Sequence, residues 1–195
     1  MPRPREYDED QVLELAMAQF WSHGYEATSM SALMEATGLA KGSLYKGFGD
    51  KHQLFVKTLV RYLERGRHAL RECIEDADDA RAGLRRWLED NAEPAAHDGL
   101  RRGCFAVNTA VELAPHDAEI RRVLRDHERR MEKLYQDCVR RGIEDGSLRA
   151  DLDPPNAARW ITTVVYGLQV RSKLGMSHTL GLETAAQALD SMAGA

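Results

Sequence analysis

Between Thr28 and Phe55 the chain reads TSMSALMEATGLAKGSLYKGFGDKHQLF. Apolar residues recur in it at steps of three and four: Met30, Leu33 and Met34, then Leu44 and Phe48. That repeat marks one face of an α-helix. Gly38 and Gly49 interrupt it where a helix would stop. Thr28 or Ser29 can cap the first segment, whose stripe is Met30, Leu33, Met34 and Thr37, and Asp50 can cap whatever follows Gly49. The spacing predicts a helix ending at Gly38, a short helix from about Lys41 to Phe48, and a new helix from Asp50.

Upstream, Leu13, Ala16, Met17 and Phe20 form one buried stripe of a helix running from about Asp8 to Gly24. Two short helices about a tight glycine turn, with a third packed behind, make a helix-turn-helix. Such a turn can lay its second helix into a DNA major groove about 12 Å wide.

Downstream, almost everything reads as helix, and no alternating β-branched run suggests a sheet. The helix from Asp50 carries Phe55, Leu59, Tyr62, Leu63, Leu70 and Ile74. About 25 residues at 1.5 Å each span nearly 40 Å, enough to join two domains. Further helices are expected from Asp79 to Ala92, Cys104 to Ala114, Asp117 to Gly142 or Gly146, Pro154 to Gly175, and Leu182 to Met192. The stretch EPAAHDGLRRG (93–103) reads as a loop. The helix after Cys104 carries a single charge, Glu112, and is expected to be buried on most sides. The fold class is all-α. A three-helix helix-turn-helix domain (1–50) is joined by the long fourth helix to a helical ligand-binding and dimerisation domain (51–195).

Composition sets limits. The chain has 195 residues, 43% of them hydrophobic, with a formal net charge of −4. No run approaches the roughly 20 apolar residues of a membrane span, so no membrane partner is expected. The start, MPRPREYDED, turns acidic where a signal peptide would be apolar. Cys73, Cys104 and Cys138 are scattered and odd in number, which suits a reducing cytoplasm. The first fifty-one residues hold five Lys/Arg against eight Asp/Glu, which argues against nucleic acid on net charge alone. Distribution matters more, because phosphates respond to charges within about 10 Å. Five of those acids lie between Glu6 and Glu14, whereas the bases sit at Arg3 and Arg5 and at Lys41, Lys46 and Lys51.

The stretch quoted above resembles the DNA-binding signature of the TetR family of regulators. The matching positions are Thr28, Leu33, Ala36, Gly38, Leu39, Gly42, Ser43, Leu44, Tyr45, Phe48, Lys51 and Leu54. FWSHGYEATS (20–29) resembles the family's passage from helix 1 into helix 2, and CFAVNTAVELAPHDAEI (104–120) is similar to one branch of it. Three positions depart from the family pattern: Ala40 where a capping Ser or Thr is usual, Met34 for a small residue, and Gly47 for a polar one.

The resemblance implies that helix 3 enters the major groove of a double-stranded operator. Lys41, Gly42 and Ser43 would lie near phosphate or base edges, with Tyr45 on the backbone and Lys46 toward the groove. Lys51 would pair with a phosphate. Thr28, Ser29 and Ser31 would donate at the start of helix 2, an end that favours anions, and Arg3 and Arg5 form an arm suited to the minor groove. Taken singly, Tyr45 and Phe48 read as core aromatics and the lysines as solvated charges; the signature as a whole favours DNA. The resemblance also implies a homodimer through helices 8 and 9, which a palindromic operator requires, and a cytoplasmic repressor released by a small-molecule effector.

An effector cavity would lie among helices 4 to 8, with Trp87, Phe105, Asn108, Thr109, Glu112, His127, Met131, Trp160, Thr163 and Tyr166 as candidate lining. Trp, Met and His at helical spacing also read as core. Asn108, Thr109 and Glu112 stand out, because buried polar groups need partners. Cys104 follows Arg101 and Arg102 at a helix N-terminus, where the dipole and neighbouring cations favour a reactive thiolate. A thiol-based redox or electrophile sensor is therefore an alternative, and a small-molecule binding protein without operator binding is another. No HExxH, glycine-rich phosphate loop, GxSxG or metal-ligand cluster is present, so neither an enzyme, a metal nor a cofactor is expected.

Overall fold

The structure, a computed structural model, describes residues 7–92 and 102–194. Among them nine helices form: α1 (Glu9–His23), α2 (Met30–Thr37), α3 (Lys41–Phe48), α4 (Lys51–Glu75), α5 (Ala80–Ala92), α6 (Phe105–Glu112), α7 (Ala118–Asp145), α8 (Pro154–Lys173) and α9 (His178–Asp190). No named strand occurs among the described residues; an isolated bridge pairs Leu148 with Ala193.

Short polar side chains decide where most helices start. Asp8, Ser29, Asp117, Asp153 and Ser177 each accept a first-turn N–H of α1, α2, α7, α8 and α9. Asp50 opens α4 with a reciprocal capping box to Gln53. Ala40 gives α3 no side-chain cap.

Two apolar cores result. The first joins Ala16, Met17 and Phe20 of α1 to Leu33, Leu44 and Phe48, and then to Leu54, Phe55 and Leu59 of α4. Phe105 and Ile120 belong to it as well, so α6 and α7 reach into the N-terminal unit. Aromatic edges mark that junction. Phe20 meets Phe55 at 5.0 Å between centroids, and Phe105 meets Phe55 at 5.5 Å and Tyr62 at 5.6 Å. The second core joins the far half of α4 to α5, α7, α8 and α9 around Leu70, Leu84, Tyr135, Val139 and Ile161.

Several expectations shift. In α1, Val12 is buried and Leu13 only partly so. In α7, where spacings of four and three put Ile120, Leu124, His127, Met131, Leu134 and Cys138 on one stripe, the buried face runs through Met131, Tyr135, Cys138 and Val139, and His127 and Leu134 stand at its edge. The sixth helix stops at Glu112, short of Ala114, because Pro115 disfavours helical backbone in the residue before it. Nor is α6 buried on most sides: Phe105, Ala106 and Thr109 face inward, and Val111 is 77% exposed. α9 starts four residues earlier than its apolar pattern suggests, since Ser177 caps it and the first turn, HTLG, is largely polar.

Candidate nucleic-acid interface and effector cavity

Gly38 ends α2 in the left-handed region, at φ 69° and ψ 8°. No Cβ-bearing residue adopts that geometry without strain, and the turn aims α3 outward. Leu44 and Phe48 anchor α3 in the core. Lys41, Gly42, Tyr45 and Lys46 are exposed, Tyr45 by 43% although it is aromatic. The Lys41 ammonium lies 5.7 Å from the Tyr45 ring centroid, and Lys51, the first residue of α4, sits 4.2 Å over Tyr25. With no cap at Ala40, the first N–H groups of α3 meet no side-chain oxygen; Ser43 N–H turns back to the Ala40 carbonyl at 2.9 Å, which leaves those of Lys41 and Gly42 to face an anion.

Pairing takes up part of the adverse charge count. Asp8 and Asp50 cap helices. Asp10 and Glu14 are taken by Arg61 at 2.7 and 2.5 Å, and Glu14 is shared with Arg65. These four acids are thus committed to α4 and to helix ends, whereas Glu26 and Glu35 stay exposed.

The N-terminal unit is tied to α6 and α7 by polar contacts. The Glu112 carboxylate accepts the backbone N–H of Tyr25 at 3.1 Å and of Glu26 at 2.9 Å. The Asp117 carboxylate lies 2.7 Å from His52 Nε2. Trp21 donates its indole N–H to the Gly103 carbonyl at 3.1 Å.

Beside these ties lies a cavity of about 370 Å³, bounded by α1, α4, α5, α7, α8 and the start of α6. That volume suits a small ligand. Trp21, Tyr62, Trp87, Met131, Tyr135 and Val165 supply much of its wall, and Cys104, His127 and Tyr166 also border it. The Tyr62 hydroxyl donates to Cys104 Sγ at 3.5 Å. Burial, reinforced by Arg67 and Arg130, pushes His127 down to about 4, so its imidazole is neutral at pH 7.

Residues 12–58 match the family model of bacterial regulatory proteins, tetR family, and residues 80–189 match the tetracyclin repressor-like C-terminal domain. The chain belongs to the TetR family. The HTH-type transcriptional repressor ComR of Escherichia coli K12 is 29% identical over 177 residues, 90% of this chain and 84% of its own. Among solved structures, a cysteine mutant of the TetR family regulator CifR complexed with 26-bp double-strand operator DNA superimposes with a TM-score of 0.86. It shares 34% identity and covers 97% of this chain and 99% of its own. Reduced NemR of E. coli shares the fold at a TM-score of 0.85, with 19% identity over 95% of this chain and 96% of its own.

Of the residues that the sequence singles out for DNA on α2 and α3, most are exposed and one is buried. Thr28 is fully buried, and its hydroxyl donates to the Gly24 carbonyl at 2.6 Å, so that side chain belongs to the turn. Ser29 Oγ accepts from Ala32 N–H at 3.1 Å, Ser31 is exposed and Ser43 half-buried. Arg3, Arg5 and Arg101 lie outside the described residues. At Gly47 a Cβ would run into the Tyr7 hydroxyl, so glycine there makes room for Tyr7 against Phe48.

Of the ten candidate lining residues, the cavity gathers Trp87, His127, Met131 and Tyr166. The other six lie elsewhere. Phe105 is locked in the N-terminal core. Asn108 donates to the Arg102 carbonyl at 2.7 Å and accepts from Lys173, and Glu112 holds the α1–α2 turn. Thr109 is buried with no partner for its hydroxyl among the described residues. Trp160 and Thr163 face outward, because the inward side of α8 is Ala157, Ala158, Ile161, Thr162 and Val165. Missed by sequence were Trp21 and Tyr62, whose own helices gave no sign of a second buried side. Tyr135 could have been found, since it falls one turn beyond Met131 and two beyond His127.

Proposed function

We propose that this protein is a homodimeric repressor that binds a palindromic operator through α3 and lets go when a small molecule fills the cavity. The observation that carries the reading is α3 itself, a core-anchored helix offering Lys41, Tyr45 and Lys46 to solvent from a glycine turn. CifR, similar over nearly the whole chain, was solved on operator DNA, which supports the same use here. Dimerisation is supported by α8. Trp160, Thr163, Gly167, Val170 and Leu174 are all exposed and follow one another at steps of three and four, the seam of a helix–helix contact. α9 adds exposed Leu180 and Ala186. The division at residues 50 and 51 remains useful, with α4 built into both units. Release would travel through α4 and the Glu112 and Asp117 ties when the cavity fills.

This reading assigns no catalytic role and places the protein in the cytoplasm with its DNA. Among the described residues no helix is long and apolar enough to cross a membrane.

The test is fluorescence anisotropy of the protein on its own upstream DNA across a salt series, beside a Tyr45→Ala, Lys51→Ala double variant. Specific, salt-sensitive binding that the variant loses supports the repressor. A folded dimer with no specific binding favours a binding protein without an operator.

A second reading, a thiol-sensing trigger, is favoured by one observation: Cys104 borders the cavity at the start of α6, its Sγ facing Tyr62. Cys73 and Cys138 are buried and pushed up to about 11, which keeps them as inert thiols. N-ethylmaleimide should then abolish operator binding in the native protein and spare Cys104→Ser. Equal inhibition of both removes this trigger.

A further inference from the structure

The cavity's own chemistry narrows the effector to a class. Tyr135 is 1% exposed, and its hydroxyl oxygen accepts the Trp87 indole N–H at 2.8 Å. A phenol also has a proton to give, and no acceptor for it occurs among the described residues. Burial raises this phenol far above its ordinary range, so it stays a donor. His127 presents a second one. Its Nδ1 lies 3.3 Å from the Arg67 guanidinium, which can only donate, so the neutral ring carries its proton on Nε2.

Tyr166 brings a further phenol to the cavity, and most of the other polar groups there are already matched. Gln169 donates to Asn91 at 2.7 Å, and Asn91 donates to the Trp87 carbonyl at 2.8 Å. Thr162 donates to the Ala158 carbonyl, and Trp21 to Gly103. The nearby cations have acidic partners, Arg65 on Glu14 and Arg67 near Glu64. Among the described residues the cavity therefore offers donors in an apolar shell and no unpaired cation. A ligand carboxylate would lose its hydration without an ion pair in return; an uncharged oxygen would lose little and gain a hydrogen bond.

We propose that the effector is an uncharged, compact and mainly apolar molecule carrying a hydrogen-bond acceptor such as a carbonyl oxygen, which docks on the Tyr135 hydroxyl. The proposal rests on the reading of this cavity as the effector site.

Three probes of one outline test it: 2-acetylnaphthalene, a neutral ketone; 2-ethylnaphthalene, which lacks the acceptor; and 2-naphthoate, an anion. Binding to the full-length protein is measured by calorimetry without DNA. The ketone should bind about tenfold more tightly than the hydrocarbon, as one net hydrogen bond allows, and the anion most weakly. Tyr135→Phe should remove that advantage and leave hydrocarbon affinity unchanged, which shows the cavity intact. The idea is overturned by naphthoate binding as tightly as the ketone, by no binding of any probe, or by a variant that weakens ketone and hydrocarbon alike. If Tyr135→Phe fails to fold, the native protein's ranking of the three probes decides alone. A ketone that binds as expected yet leaves operator affinity untouched sinks the effector-site reading and leaves the chemistry of the cavity standing.

Discussion

The carboxylate of Glu112 holds the backbone N–H of Tyr25, 87 positions away in sequence, at 3.1 Å. With Glu26 N–H on its other oxygen, it fastens the last turn of α6 to the loop that leads into α2. A two-armed charged acceptor on main-chain donors is a stiff connection. The base of the helix-turn-helix is thereby fixed to the end of α6.

Glu112→Ala removes both acceptors and leaves those N–H groups unpaired, the Tyr25 one partly buried. Stability should fall by about 1–3 kcal/mol in urea denaturation. The fold of DNA release by effector should shrink as well, by the equivalent of about 0.5–2 kcal/mol of coupling. Unchanged coupling in a destabilised variant would reduce Glu112 to a structural prop.

The contrast with what the sequence disclosed is physical. Gly38, Asp50, Asp117 and Pro154 announce helix ends because caps and breakers act on their immediate neighbours, and all four stand at helix boundaries here. Glu112 gave no such signal, since its partners belong to another element. It read as a polar group in want of a pocket; it is a tie. Trp160 shows the limit of periodicity. A large apolar residue on a helix suits a cavity wall or a dimer seam equally, and only the facing of Ala158 and Ile161 inward decides between them. Cys104 was legible by position, whereas its neighbour Tyr62, 42 residues earlier, was not.

The α8 stripe can be broken with one charge. Val170→Glu places a carboxylate in the middle of an apolar seam that the partner copy must bury, and an unpaired buried charge opposes association strongly. Sedimentation velocity should show the variant as a folded monomer, with circular dichroism unchanged. Operator affinity should fall with it, because each half-site is then bound alone. A Val170→Glu protein that stays dimeric would move the interface off this face.

His127 makes stability depend on pH in a definite window. Its folded value, about 4, is depressed below the ordinary 6.5 by burial first and by Arg67 and Arg130 after it. Between those values the unfolded chain binds the proton and the folded chain refuses it, so stability is complete above about 6.5 and is lost as pH falls toward 4. Urea midpoints at pH 7 and pH 5 should differ by the equivalent of about 1–2 kcal/mol in the native protein, discounted for partial exposure. His127→Gln should narrow that gap. An identical gap in the variant would assign the acid sensitivity to other groups.

Ala40 offers a gain where the other changes bring losses. α3 begins without a side-chain cap, and Ala40 already has the extended backbone, φ −64° and ψ 151°, that a capping residue adopts. Ala40→Ser should let a hydroxyl accept a first-turn N–H of α3 and stabilise the protein by about 0.5–2 kcal/mol. The same hydroxyl would compete for the N–H groups that otherwise face an anion, so operator affinity need not follow stability. If phosphate binds the start of α3, the serine should raise the melting temperature while leaving affinity equal or weaker. If α3 is limited instead by fraying, both should rise together. Melting curves and anisotropy on one pair of proteins separate these outcomes, and a serine that changes neither would show that the start of α3 is already held by the packing of Leu44 and Phe48.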